Sequence, residues 1–116
     1  MRIQRTMVGG RLTTDYILLY VVPRHIRGET EVLRLFEEIE ELIEGHKIKL
    51  LVLNCGRLHS ATSAFFGKLV RLSELCKKHN IKFHLCCLQD AVKEGFKVLK
   101  LHKLLKVYDT EAEALG

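Results

Sequence analysis

Three hydroxyls crowd the segment Ser60-Ala61-Thr62-Ser63, and Ala64, Phe65 and Phe66 follow before Gly67. Hydroxyls at the entrance of a helix have two uses. They accept hydrogen bonds from backbone amides that the helix leaves unpaired, and exchanging such a cap for alanine typically costs ~1 kcal/mol. They also accept phosphate, which the free amides and the positive end of the helix dipole tolerate, so that modification need not unfold the domain. A group with nearly two negative charges in the middle of a docking surface would then repel an acidic or apolar partner. Spacing alone leaves both readings open.

Four cysteines and six histidines offer a second chemistry, grouped as Cys55-x-x-x-His59, Cys76-x-x-His79 and His84-x-Cys86-Cys87. A structural zinc needs four ligands converging tetrahedrally. Cys76, however, falls on the apolar stripe of a helix, and His84 and Cys86 alternate to one side of a strand with Cys87 on the other. Reduced core thiols and surface histidines are the expectation, with no metal site. A Cys55–His59 nucleophile would lack a third group to orient its base. The chain has no phosphate-binding loop, no dinucleotide-binding glycine pattern, no His-Glu-x-x-His and no Gly-x-Ser-x-Gly elbow. Neither catalysis nor a cofactor is expected, and a metal- or thiol-binding protein using Cys55, His59, Cys86 and Cys87 is the alternative from another class.

The elements that position these residues follow from hydrophobic period. Residues 16–22, Tyr-Ile-Leu-Leu-Tyr-Val-Val, form a continuous β-prone run ended by the only proline, Pro23, and read as a strand buried on both faces. A weaker run from Ile3 to Val8, with Gly9-Gly10 as a turn, makes an N-terminal hairpin. From Thr30, an N-cap candidate, Val32, Leu35, Phe36, Ile39, Leu42 and Ile43 recur at helical spacing up to Gly45. Residues 48–54 and 81–87 read as core strands, and 63–78 and 90–99 as helices. A short strand at 106–108 and a helical turn at 110–115 close the chain. On the helix from Ser63, the same period puts Phe65, Phe66, Leu69, Leu72, Leu75 and Cys76 on the inner face. Strands alternating with helices across short loops predict an α/β fold, one domain over 1–116 with a mostly parallel central sheet and about four helices.

Composition agrees with a single domain: 116 residues, 47% hydrophobic and 28% charged, enough for a core without disulfides. No apolar run reaches the ~18 to 20 residues of a membrane span, and the start of the chain has no apolar signal stretch. A cytoplasmic protein with no membrane partner is the expectation. The net charge of +5 is polarised, with five arginines in residues 1–27 and seven glutamates in residues 29–44. Such a total gives no reason to expect a nucleic-acid partner, which needs cations on one continuous face.

The stretch from Leu51-Val52-Leu53-Asn54 through Ser63, Gly67, Leu69 and Leu72 resembles the STAS domain of anti-sigma factor antagonists. In that family a hydrophobic strand ends in Asp or Asn and is followed by Asp-Ser-Ser/Thr-Gly-Leu-Gly and an amphipathic helix. The resemblance continues through Leu85-Cys86-Cys87-Leu88 and ends on Val107-Tyr108-Asp109-Thr110-Glu111-Ala112-Glu113-Ala114-Leu115. It implies a non-enzymatic signalling module that binds an anti-sigma factor of the serine-kinase type, with Ser63 at the phosphorylated position. The docking surface it implies comprises Ser60, Thr62, Ser63, Ala64, Phe65 and Phe66, with Glu29 supplying an acidic contact from the preceding loop. The chain departs from the motif where Thr62 replaces an aspartate, Phe65 a glycine and Phe66 a leucine. A constitutive adaptor on the same fold, with Phe65 as its anchor, is the second reading.

Overall fold

The computed structural model describes residues 1–116 and places six strands in one sheet: β1 (Arg2–Gln4), β2 (Val8–Leu12), β3 (Tyr16–Val21), β4 (Leu50–Asn54), β5 (Lys82–Cys86) and β6 (Lys106–Tyr108). Their spatial order is their chain order. The first three pair antiparallel as a meander, and β3 through β6 pair parallel. Four helices complete the fold: α1 (Glu29–Glu44), α2 (Ser63–Lys78), α3 (Asp90–Val98) and α4 (Glu111–Leu115), with a 3-10 turn at Leu101–Lys103. The α/β class, the largely parallel sheet, the N-terminal hairpin and the helix count are as the sequence predicts.

Sequential strand order has a geometric consequence. Each strand–helix–strand crossover of the same hand steps one place in the same direction, so α1, α2 and α3 all land on one face. Alternate residues Ile17, Leu19, Leu51, Leu53, Phe83 and Leu85 point to that face and pack with Leu35, Phe36, Leu69 and Phe96 in the main core. The intervening residues Leu18, Val52 and Cys86 form a smaller cluster with Ala114 under α4 on the opposite face. That explains a strand buried on both sides in so short a chain. Beyond the footprint of α4, the outer face is covered by cation–aromatic contacts, Arg11 over Tyr16 at 5.7 Å and Arg57 over Tyr20 at 5.4 Å.

Two expectations are corrected. Gly9 and Gly10 are not a turn but the middle of β2, and the chain reverses at residues 5–7, where Arg5 N donates to Val8 O at 2.9 Å. Gly10 is required for proximity: at φ +153, a Cβ there would lie 1.8 Å from the Leu18 carbonyl oxygen. Helix α1 begins at Glu29 rather than after Thr30, with Gly28 as an extended N-cap whose carbonyl receives the Val32 amide at 3.2 Å. The glutamates of α1 are not all free in solvent either. Glu38 Oε1 accepts from the Met7 and Val8 amides at 2.8 and 3.2 Å, clasping the first reversal onto the helix.

Because the obstruction at Gly10 is backbone, Gly10→Ala is expected to cost about 3 kcal/mol of folding free energy. Urea denaturation followed by circular dichroism checks it; a change under ~0.5 kcal/mol would show that the β2–β3 pairing can spread to admit a methyl group.

Candidate functional site

The carboxyl ends of the parallel strands carry two loops, 22–28 after β3 and 55–62 after β4. They run side by side as though the strands had not stopped. His59 N donates to Arg24 O at 2.7 Å and Ile26 N to Ser60 O at 3.3 Å, and a parallel bridge joins His25 to Ser60. The Ser60 hydroxyl lies 2.7 Å from His25 Nδ1, so this side chain ties the loops together and does not cap a helix. Buried Ile26 and Leu58 fasten the pair to the core from below. Each loop then feeds a helix, and the first turns of α1 and α2 come to rest next to each other.

Asn54 at the end of β4 braces the second loop. Its Oδ1 accepts from Gly56 N at 2.7 Å while its Nδ2 donates to Glu111 Oε2 of α4 at 2.6 Å. Gln89 reaches across from the β5 end to donate to the Gly56 carbonyl.

Ser63 is the first residue of α2 and is exposed. No side chain caps this helix: Thr62 occupies the N-cap with φ −88 and ψ 168, but its hydroxyl makes no capping bond. The Phe65 amide bonds back to Thr62 O at 3.0 Å, and the Ser63 and Ala64 amides have no acceptor in the protein. Thus the expected capping role of the hydroxyls is not what they do. The first turn of α2 carries no acidic residue. The adjoining loops expose Arg24, Arg27 and Arg57 together with His25 and His59, whose rings lie 5.8 Å apart. Added negative charge at Ser63 would meet free amides and no carboxylate in its own turn.

Beside Ser63, a groove of about 180 Å³ runs between α1 and α2, lined by Glu29, Val32, Leu33, Ala64 and Lys68. It brings Glu29 and Ala64 together, two residues far apart in sequence that the resemblance assigns to one surface. Leu33 was missed by sequence reasoning, although it is 46% exposed on the wall of the groove. Its signal was present, a large apolar residue one step off the buried stripe of α1.

Phe65 and Phe66 are the correction at this site. Phe65 is fully buried and Phe66 nearly so, within an aromatic row from Phe36 through Phe65 and Phe66 to Phe96, with centroids 5.6 to 5.7 Å apart. They bolt α2 between α1 and α3, so neither is presented to a visiting molecule. An adaptor anchored on Phe65 is therefore overturned. Ser63 and Gly67 are four residues apart and share the outward side of the same helix.

The thiols do not assemble into a ligand set, and no three His, Cys, Asp or Glu side chains converge on a point that could hold a metal ion. Burial pushes the Cys55 and Cys76 thiols up to about 12, and burial together with the neighbouring Cys87 raises Cys86 as well. Only Cys87, partly exposed at φ 63, lies within reach of a reagent.

The STAS domain family model matches residues 29–114. No curated protein is a significant match to the chain. Among solved structures, an anti-sigma-factor antagonist (STAS) domain protein from Planctomyces limnophilus superposes with a TM-score of 0.78 at 20% identity, covering 93% of this chain and 93% of that one. A protein from Thermotoga maritima assigned as an anti-sigma factor antagonist gives 0.77 at 18% identity, with 94% and 92% covered. A serine-to-glutamate variant of RsbS from Moorella thermoacetica gives 0.77 at 19% identity, with 95% and 92% covered. At such identities the likeness is one of fold.

Three outcomes are expected from this geometry. In native protein at about pH 8, a disulfide reagent should modify one thiol quickly and the remaining three only on unfolding; two or more fast thiols would contradict the burial. Since the unfolded thiols ionise near 9.0 and Cys55 and Cys76 only near 12, stability should hold below that range and fall as pH climbs through it. A Cβ on Gly67 would meet nothing within 4 Å. Gly67→Ala should therefore stabilise the fold by about 0.5–1 kcal/mol in denaturant titration, and a loss of stability would mean that this helix face is not open.

Proposed function

The chain belongs to the STAS domain family, and on that premise we propose that it is a non-enzymatic signalling module of the anti-sigma factor antagonist kind. Its partner in this reading is an anti-sigma factor of the serine-kinase type, in the cytoplasm, and its output is the control of transcription. The docking surface is the start of α2 with the α1–α2 groove, comprising Ser60, Thr62, Ser63 and Ala64 on one side and Glu29 with Leu33 on the other. Phosphorylation of Ser63 is the switch. The observation that carries the proposal is the setting of Ser63: an exposed hydroxyl with unpaired amides behind it, adjacent to a groove that also holds Glu29.

The energetics favour such a switch. Before modification, the Ser63 hydroxyl is free to hydrogen-bond a partner, a contribution of about 1 kcal/mol. Afterwards a nearly dianionic group occupies the same place, and docking must desolvate it or oppose it with like charge. The domain beneath is spared, because the unpaired amides at the start of α2 can receive the charge. The kinase supplies ATP, since this chain has no phosphate-binding loop of its own.

A constitutive adaptor is the second reading, and Thr62 favours it: the family carries an aspartate there, and without it no carboxylate stands beside the acceptor. Incubation with the cognate kinase and ATP, followed by mass spectrometry, separates the two. Phosphate is expected on Ser63, with Ser63→Glu weakening partner binding ~100-fold and Ser63→Ala binding as the unmodified protein does. Phosphate found only elsewhere, together with unchanged binding by Ser63→Glu, would leave the adaptor.

A further inference from the structure

Four of the large hydrophobic side chains left in water lie within ten residues of one another: Val98 at 69% exposure, Leu99 at 48%, Leu104 at 57% and Val107 at 37%. They occupy the corner where the end of α3, the 3-10 turn and the edge strand β6 meet. Lys97, Lys100, Lys103 and Lys106 recur among them at every third position, all exposed, and no acidic residue intervenes between Glu94 and Asp109. Lys100 makes the bend at φ 56, a conformation for which glycine or asparagine is the easier choice. The adjoining cleft, about 470 Å³, adds Lys77, Lys82 and His102, and no carboxylate lines it. The ion pair between Arg5 and Glu41 lies elsewhere, and none of these lysines is in a salt bridge.

We propose that this corner is a peripheral docking surface for an anionic lipid bilayer. The charge of the surface calls for an anionic partner, and its side-chain types select among anionic partners. Protein interfaces are enriched in Trp, Tyr and Arg and depleted in Lys, whereas this patch is aliphatic and lysine-rich, with no arginine after Arg71. A lipid surface accepts this set: aliphatic side chains that enter the headgroup boundary, and compact, mobile ammonium groups that follow a diffuse negative potential. Strand addition along β6 is opposed by Lys106 on that edge. No helix is long and apolar enough to cross a membrane, so the contact lies on the bilayer. Because β4, β5 and β6 run parallel, this corner is at the amino ends of the strands and Ser63 is at the carboxyl ends. A domain resting on lipid through the lysine corner keeps Ser63 facing away from it.

Co-sedimentation of the full chain with phosphatidylcholine vesicles, with and without phosphatidylglycerol, tests the proposal. Partitioning onto the phosphatidylglycerol vesicles only, weakened by added salt, is expected. Lys100→Glu with Lys103→Glu should reduce it about tenfold or more, and Val98→Ser with Leu104→Ser several-fold at unchanged charge. Ser63→Glu should bind vesicles as the parent does. All of these positions are exposed, and circular dichroism verifies that the variants fold. Absence of partitioning onto anionic vesicles at low salt would overturn the proposal. So would an unchanged Val98/Leu104 double variant fully displaced by polyglutamate, which would mark an acidic protein as the partner.

Discussion

The parallel pairing of β3 with β4 does not end where the strands end. From Tyr16 opposite Leu50 to Tyr20 opposite Asn54 it is an ordinary ladder, and it resumes beyond the strands at His25 and Ser60. Because α1 grows from one of these joined loops and α2 from the other, the two helix entrances are held in register by backbone hydrogen bonds. Everything attributed to the surface depends on this. A groove containing Glu29 and Ala64 exists only while the ladder holds, and Ser63 has its orientation because the residue three places before it is locked to His25.

A hydroxyl is useful as an acceptor only if its helix does not rotate. The aromatic row from Phe36 to Phe96 supplies that restraint from within, each ring packed against the next along three helices. Seen this way, the two phenylalanines that depart from the family motif are consistent with its architecture. They fill space between helices, and the side of α2 that carries Ser63 and Gly67 is left bare.

Much of this was legible before any coordinates. Strand and helix order, the sheet's largely parallel character and the buried stripes of α1 and α2 follow from period alone, because one-sided burial leaves a repeat in the sequence. The helical period also placed Phe65 and Phe66 inward, and the structure agrees with it against the surface role implied by resemblance. Other features left no local trace. Gly9-Gly10 resembles a turn because glycine is common in turns, whereas Gly10 is needed here for the close passage of the Leu18 carbonyl. The pairing of Ser60 with His25 and of Glu38 with the first reversal joins residues about thirty or more apart in sequence, and no periodicity encodes such contacts. Leu33 was overlooked for a related reason: an apolar residue off the stripe has no meaning until the neighbouring helix defines a groove.

Asn54 binds in two directions, and this makes two distant letters of the sequence dependent on each other. Family members end this strand with either an amide or an acid, but here the side-chain nitrogen points at Glu111 from 2.6 Å. An aspartate would still accept from the amide of Gly56 but would set carboxylate against carboxylate, loosening the C-terminal helix from the sheet. Positions 54 and 111 are thus expected to be co-inherited: lineages that restore the acid at the first should have surrendered it at the second.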